Sequence, residues 1–176
     1  MKDPNVVAKR LGLRTDRERQ VPSSLEEVEI THKVRYEFIS EKIKELYNKN
    51  KCSILDYGCG CGYGAKILSD VAENILGVDV DKDVIEYARE VFSGDNICYG
   101  ITRDFDYNNK FDVVACVEMI EHVSKEEGER LLDRFYNMLD EGGYLFITTP
   151  RKPYGNPFHI HEYVYEEFYD MLEGSG

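Results

Sequence analysis

The sequence predicts an α/β fold built on a doubly wound, mostly parallel sheet. Short apolar runs alternate with amphipathic segments along most of the 176 residues. Two of these runs end in an aspartate, at Asp56 and Asp79, and four glycines follow the first of them. Strands that alternate with helical segments of about ten to fifteen residues imply right-handed crossovers and a parallel sheet.

Each element follows from its local pattern. Residues 1–30 are polar and charged and are expected to form an N-terminal arm or lid ahead of a domain over residues 31–176. Thr31 is expected to cap a helix over about 32–48, where apolar side chains recur at helical spacing. Strands are expected near 52–57, 75–79, 96–99, 112–117 and 143–149. Later helices are expected near 63–72, 82–92, 125–139 and 163–173.

Composition narrows the class of protein. A net charge of −12 argues against an extended nucleic-acid surface, because phosphate contacts need clustered Lys and Arg. No apolar run reaches membrane-spanning length and no signal-peptide pattern opens the chain, so a cytoplasmic location is expected. The five cysteines lack the spacing of a zinc site and are interpreted as reduced, structural thiols.

The segment from Ile54 to Ala65 predicts a strand, a tight glycine turn and a helix N-terminus. Glycine permits positive φ and a close approach of a ligand to the backbone. The helix N-terminus beyond the turn offers N–H groups and a partial positive charge. Asp56, at the strand end, would repel a pyrophosphate but suits an ammonium or sulfonium group. The loop therefore points to S-adenosylmethionine rather than to a dinucleotide.

A second acid, Asp79, ends the next predicted strand 19 residues after Gly60. An acid at this separation from a glycine loop can accept hydrogen bonds from both hydroxyls of a ribose. Asp81 is expected to cap the helix that follows. Because ligands of doubly wound sheets bind beyond the carboxyl ends of the strands, Asp56 and Asp79 mark the expected cofactor site.

Taken in order, these motifs resemble the class I S-adenosylmethionine-dependent methyltransferases, which have a Rossmann-like fold. The resemblance covers about residues 30–172 and includes the bacterial and phage subgroup linked to polysaccharide biosynthesis. It is carried by Ile54–Gly62, Gly77–Asp79, Phe111–Val114, Glu118–His122, Leu139–Pro150 and Asn156–His159.

This resemblance implies a set of cofactor contacts. Asp56 and its glycine loop would lie under the methionine moiety, and Asp79 would hold the ribose. Ile101 stands where the family usually has an acid near the adenine, so Asp104 is the candidate for that contact. The full predicted cofactor set is Asp56, Gly58, Cys59, Gly60, Gly62, Asp79, Val80, Asp104, Cys116 and Val117.

The predicted catalytic residues are His122, Glu118 and His159. Glu118, Glu121 and His122 have the i, i+3, i+4 spacing that places side chains on one face of a helical turn. Three interpretations stay open. His122 acts as a general base oriented by a carboxylate; or these residues and a later histidine bind a divalent metal, as in the similar small-RNA 3′-terminal 2′-O-methyltransferases; or they brace the loop. No residue is assigned as a metal ligand.

The segment 151–162 contains two X-Pro steps, which favour an extended, turning path. Residues 151–163, together with residues 14–36, would wall an acceptor site rich in Tyr, Arg and His, which suits a sugar or another small polar molecule. The predicted function is O-methylation of such an acceptor. The alternatives are an RNA 3′-terminal 2′-O-methyltransferase and a non-catalytic cofactor-binding partner protein.

The resemblance also implies two further strands that this sequence does not contain. The fifth predicted strand, with the apolar run 144–148, is therefore expected to be an open sheet edge. Open edges pair readily with another chain. A homodimer or a partner protein that covers this edge is expected.

Overall fold

The computed structural model describes residues 2–13, 19–48 and 51–174. The chain divides into two compact units, Met1–Phe105 and Asp106–Gly176. Within each unit strands and helices alternate in the predicted order, and the strands that pair within a unit are parallel.

The first unit contains three strands and four α-helices within its described residues. The strands are β1 (Cys52–Tyr57), β2 (Ala72–Asp79) and β3 (Ile97–Ile101), and the helices are α1 (Pro4–Arg10), α2 (Ile30–Leu46), α3 (Tyr63–Leu68) and α4 (Lys82–Val91). β2 lies between β1 and β3 and pairs in parallel with both, with Leu55 beside Leu76 and Leu76 beside Cys98. The carboxyl ends of β1 and β2 therefore lie side by side.

The second unit contains two parallel strands and two α-helices within its described part. The strands are β4 (Phe111–Val117) and β5 (Leu139–Thr148), and the helices are α5 (Lys125–Met138) and α6 (Tyr165–Glu173). Short 3₁₀ turns span Thr102–Asp104 in the first unit and Ile120–His122 in the second.

Part of the predicted arm packs on the first unit. Asp3 accepts a hydrogen bond from the Asn5 N–H and caps α1, and Pro4 occupies the first turn. Val7 is buried against Val84 and Tyr87 of α4. Residues 14–18 of the predicted arm lie outside the described residues.

The prediction that Thr31 caps the second helix is wrong. Helix α2 begins at Ile30, and Thr31 lies inside its first turn. The Glu29 N–H is held by Gln20 Oε1 at 2.8 Å, and the Glu29 carbonyl accepts the N–H of Lys33. These two bonds make Glu29 the last non-helical residue, and the Thr31 hydroxyl donates back to the Glu29 carboxylate.

Three other boundaries differ from the prediction by a few residues: the end of α3, the start of β2 and the start of β5. Helix α3 ends at Leu68 because β2 starts at Ala72, which pairs with Cys52. Strand β5 starts at Leu139, because Leu139 pairs with Phe111 before the register shifts and Tyr144 pairs with Val113. Gly142, at φ +77°, takes up that irregularity.

None of the described helices is both long and apolar enough to cross a membrane. All five cysteines are free thiols, as predicted, and Cys98 is the one that is exposed.

Candidate functional site

The glycine turn after β1 is anchored on the end of β2. The N–H groups of Gly58 and Cys59 both donate to the Val78 carbonyl, at 2.8 and 3.0 Å. The Gly60 N–H donates to Asp79 Oδ2 at 3.0 Å. Gly58, Gly60 and Gly62 have φ values of +80°, +52° and +90°, which side chains other than glycine rarely adopt. The predicted turn is confirmed, and its shape depends on glycine.

The glycines of this loop serve different contacts. A Cβ on Gly62 would lie 2.7 Å from both Ala88 Cβ and Tyr99 Oη, and a Cβ on Gly64 would overlap the ring of Tyr36. A Cβ on Gly60 would meet no described atom within 4 Å. Gly62 and Gly64 therefore allow close packing, whereas Gly60 leaves its backbone open to a ligand.

Asp56 is a buried carboxylate with an incomplete set of partners. Its Oδ1 accepts a hydrogen bond from the Tyr36 hydroxyl at 3.2 Å. Its Oδ2 is buried and has no hydrogen-bond partner within the described residues. Burial raises the pKa of Asp56 to about 7, against which the Tyr36 hydrogen bond acts. A cation placed against Oδ2 would satisfy it.

Asp79 lies at the end of β2 and is held by backbone donors. Oδ2 accepts the Gly60 N–H, and Oδ1 accepts the Asp81 N–H at 3.0 Å. Arg19 approaches the same carboxylate at 3.5 Å and pairs with Asp81 at 2.8 Å. Each carboxylate oxygen can accept two hydrogen bonds, so Asp79 retains acceptor capacity. Asp81 caps α4 through the Asp83 N–H, as predicted.

The remaining predicted cofactor residues occupy varied environments. Val80, directly after Asp79, is 77% exposed. Cys59 is buried, with its Sγ 3.7 Å from the Gly60 carbonyl. Asp104 is exposed in the first 3₁₀ turn, and Cys116 and Val117 are buried in β4 of the second unit. Their contacts with a cofactor stay predictions.

The single helical face predicted for Glu118, Glu121 and His122 is wrong. Glu118 has φ +51° and precedes the 3₁₀ turn Ile120–His122. Its N–H donates to the Thr148 carbonyl, and its carboxylate accepts the Thr148 hydroxyl at 2.9 Å. Glu118 is thus held at the end of β5, and its charge helps to raise the pKa of Glu121.

Glu121 is nearly inaccessible to solvent and anchors the following loop. Its carboxylate accepts the Thr149 hydroxyl at 3.2 Å, and burial raises its pKa to about 7. Its backbone carbonyl accepts the N–H groups of both Ile160 and His161, at 2.9 and 3.1 Å. These bonds join the 3₁₀ turn to the 151–162 segment.

His122 and His159 form an edge-to-face pair, with ring centroids 5.1 Å apart. His122 Nδ1 lies 3.1 Å from the Phe158 carbonyl, and His159 Nδ1 lies 2.9 Å from Glu162 Oε1. Each neighbouring oxygen can only accept, so both Nδ1 atoms donate, and in the neutral rings the lone pairs lie on Nε2. Glu121, His122 and His159 each offer one atom that could ligate a metal, and these three atoms all lie within 4.8 Å of one another.

Glu162 is a site residue that the sequence reasoning missed. Its carboxylate accepts the N–H groups of Tyr154, Gly155 and Asn156 as well as the His159 ring. These hydrogen bonds, first among them that of Gly155, lower its pKa. The signal in the sequence was an acid three residues after the histidine of Asn156-Pro-Phe-His159.

Comparison with known proteins gives a consistent picture. A family model described as a methyltransferase domain matches residues 30–172. A probable S-adenosylmethionine-dependent methyltransferase of Mycolicibacterium smegmatis is 27% identical over 171 residues, covering 90% of this chain and 63% of the relative. A ubiquinone biosynthesis O-methyltransferase of Rickettsia typhi is 32% identical over 139 residues, covering 74% and 56%.

The fold agrees with a solved structure. S-adenosylmethionine-bound CalS10 of Micromonospora echinaspora, an amino pentose methyltransferase, superposes with a TM-score of 0.58 and 20% identity, covering 76% of this chain and 55% of that one. The predicted Rossmann-like α/β fold class is confirmed. The chain spans little more than half the length of several curated relatives that it matches.

Proposed function

Because the chain belongs to the methyltransferase domain family, we propose that it transfers the methyl group of S-adenosylmethionine to an oxygen of a small polar or saccharide acceptor. The observation that carries the proposal is Asp56, a buried carboxylate with one unsatisfied oxygen beside an open glycine turn. A ligand with positive charge fits such a group, and a phosphate does not.

The donor set of the first unit fits this cofactor. Asp56 Oδ2 would accept a hydrogen bond from the ammonium group of the methionine moiety. The positive charge would stabilise the ionised form of the carboxylate, which burial alone disfavours. Asp79 Oδ2 has room for one ribose hydroxyl beside the Gly60 N–H, and the second hydroxyl would take the place of the Arg19 guanidinium, which lies 3.5 Å from Oδ1. The exposed Val80 side chain offers an apolar surface for a base. When bound, S-adenosylmethionine supplies a methyl group activated on a sulfonium.

The acceptor oxygen must lose its proton as it takes the methyl group. His122 Nε2 carries a lone pair, because Nδ1 donates to the Phe158 carbonyl. We assign His122 as the base: its Nε2 would take the acceptor proton as the methyl group passes from the sulfonium sulfur, which would become a neutral thioether, to the acceptor oxygen. His159 packs edge-on against His122, and Glu118 is retained as a catalytic candidate.

The acceptor class is inferred from the residues around this base. Tyr154 and Phe158 are more than half exposed within the 151–162 segment. Aromatic rings beside histidines and carboxylates suit the alternating apolar and hydroxyl faces of a sugar. The O-methyltransferase name of the Rickettsia typhi relative and the amino pentose substrate of CalS10 lend support. We propose a cytoplasmic location, because five free thiols fit a reducing compartment.

Calorimetry with S-adenosylmethionine tests the cofactor assignment. We expect Asp79→Ala to weaken binding at least about 100-fold, because hydrogen bonds to a charged group contribute roughly 1.5–3 kcal/mol each. Asp70 is an exposed aspartate two residues after α3, so Asp70→Ala is the matched control and should bind like the wild type. Thermal unfolding without cofactor checks that Asp79→Ala folds. No binding to the wild-type protein would refute the proposal.

Catalysis is tested separately with His122. The rate of methyl transfer to hydroxylated acceptors in a single turnover should be lower in His122→Gln than in the wild type. The affinity of the variant for S-adenosylmethionine, measured by calorimetry, should stay within about twofold of wild type. Equal turnover in His122→Gln and wild type would remove His122 as the base. Cofactor binding without turnover on any hydroxylated acceptor would favour a non-catalytic partner protein.

A further inference from the structure

Arg19 lies against the acid that would hold the ribose. Its guanidinium is 3.5 Å from Asp79 Oδ1 and pairs with Asp81 Oδ2 at 2.8 Å. We propose that this contact is an autoinhibitory latch: Arg19 occupies a hydrogen-bonding position on Asp79 that a cofactor ribose needs, so the cofactor binds fully only after the guanidinium has left Asp79. The inference rests on the proposed function, because it takes Asp79 as the ribose acid.

The latch follows from the number of hydrogen bonds that Asp79 can accept, which is two for each carboxylate oxygen. Oδ1 accepts the Asp81 N–H and the Arg19 guanidinium, and Oδ2 accepts the Gly60 N–H. One position is left, on Oδ2, whereas the two hydroxyls of a ribose need two. The two N–H groups belong to the backbone around the site, so Arg19 is the donor that can leave.

The latch can open by rotation of one side chain. The main chain after Arg19 is tied down, because the Gln20 side chain binds the start of α2 and the Pro22 carbonyl accepts a hydroxyl from α4. The Arg19 side chain itself is 40% exposed, whereas that of Asp79 is only 7% exposed. Its shorter contact is with Asp81, so it can turn away from Asp79 while Asp81 still holds it.

The strength of the latch follows from its exposure. Partly exposed ion pairs are weak, so we expect the latch to lower the affinity for the cofactor by roughly two- to fivefold. A fivefold loss corresponds to about four of every five chains being latched, because the apparent dissociation constant depends on the fraction of chains that can bind. Salt screens such a pair, so the inhibition should decrease as the ionic strength rises.

Calorimetry with S-adenosylmethionine and with S-adenosylhomocysteine, which lacks the sulfonium charge, tests the latch. Arg19→Gln should bind both ligands roughly two- to fivefold more tightly than the wild type at low salt. The gain should shrink in about 0.5 M NaCl, where the Debye length is only a few ångströms. The Arg19 side chain is partly exposed, so the variant is expected to fold, and thermal unfolding verifies it.

Asp81→Asn tests the same contact from its other side. The single amide oxygen of asparagine can keep the cap of α4, and an amino group then replaces the oxygen that Arg19 binds. This variant should also bind both ligands more tightly. Combining it with Arg19→Gln should add no further gain, because the two changes remove one interaction.

The control is Arg10→Gln, which removes the same charge from an arginine that pairs with Glu86 and Glu90 of α4. Its affinity for the two ligands should not rise. Unchanged or weaker binding in Arg19→Gln would overturn the latch. An equal gain in Arg10→Gln, or a gain confined to S-adenosylmethionine, would also overturn it, because either result indicates a long-range effect of charge.

These outcomes are separate from failure of the proposed function. In each of them the wild-type chain still binds the cofactor, so only the latch is lost. Absence of binding to the wild type and to every variant would instead refute the cofactor assignment, and the latch with it.

Discussion

Asp56 is an ionisable group in a place that disfavours its charge. It is fully buried, one oxygen is unsatisfied within the described structure, and its pKa is raised to about 7. A folded-state pKa above the unfolded value means that the folded chain binds the proton more tightly. The contribution to stability is then complete at low pH and is lost as the pH rises through about 7.

Replacing Asp56 with Asn should therefore flatten the pH dependence of stability. Without cofactor, the free energy of unfolding of the wild-type chain should fall between pH 5 and pH 8 by about 2–3 kcal/mol more than that of Asp56→Asn. Urea denaturation at both pH values measures the difference. The comparison isolates the effect of Asp56, because Glu121, whose pKa is also raised to about 7, is present in both proteins. Parallel pH profiles would contradict the assignment.

Some site residues could be predicted from the sequence and others could not. Asp56 and Asp79 were predictable because an acid at the end of an apolar run marks a strand end locally. The Tyr36 contact with Asp56 joins residues 20 positions apart and depends on how α2 packs. The backbone bonds of Glu162 depend on loop geometry, for which the sequence holds no periodic signal.

At the scale of elements, α2 and α3 pack so closely that one position between them tolerates only glycine. A Cβ on Gly64 would overlap the Tyr36 ring. Tyr36 itself is 3% exposed and donates to Asp56, so it has little room to move.

Gly64→Ala should destabilise the chain by about 1–3 kcal/mol, the usual cost of overpacking a core. Urea denaturation provides the measurement. Gly100→Ala in β3 is the control, since its Cβ would meet Val78 at an ordinary 3.7 Å, and we expect a change below about 0.5 kcal/mol. Equal stability of Gly64→Ala and wild type would show that α2 shifts at no cost.

Element types were predicted better than element ends. The alternation of strands and helices follows from short-range periodicity, and the structure confirms it in both units. Helix α1 was not predicted although Asp3-Pro4 is a start signal, because its seven residues are too few for a clear apolar stripe. The start of α2 depended on Gln20, a tertiary contact.

For the chain as a whole, β5 is the strand with the most exposed surface among those described. It pairs with β4 in the described second unit, and Tyr144 on it is 41% exposed. Edge strands present unpaired N–H and C=O groups that pair with other chains. A second copy of the chain is the partner that we expect there.

Light scattering coupled to size exclusion should then report two chains, each of 20.4 kDa. Tyr144→Lys places a charge on the edge and should give monomers, since charged side chains block strand pairing. Tyr136→Lys, an exposed tyrosine on α5, should remain dimeric. A monomeric wild-type chain would exclude dimerisation through β5.

The hydrogen bond from Tyr36 to Asp56 links a helix near the start of the chain to the proposed cofactor acid. The affinity for the cofactor therefore depends on whether α2 is packed in place. If a substitution detaches α2, the free-energy cost of docking the helix again is subtracted from the free energy of cofactor binding. Each 1.4 kcal/mol of that cost raises the dissociation constant about tenfold. Conversely, bound cofactor would anchor α2, so the helix and the ligand stabilise each other by the same amount.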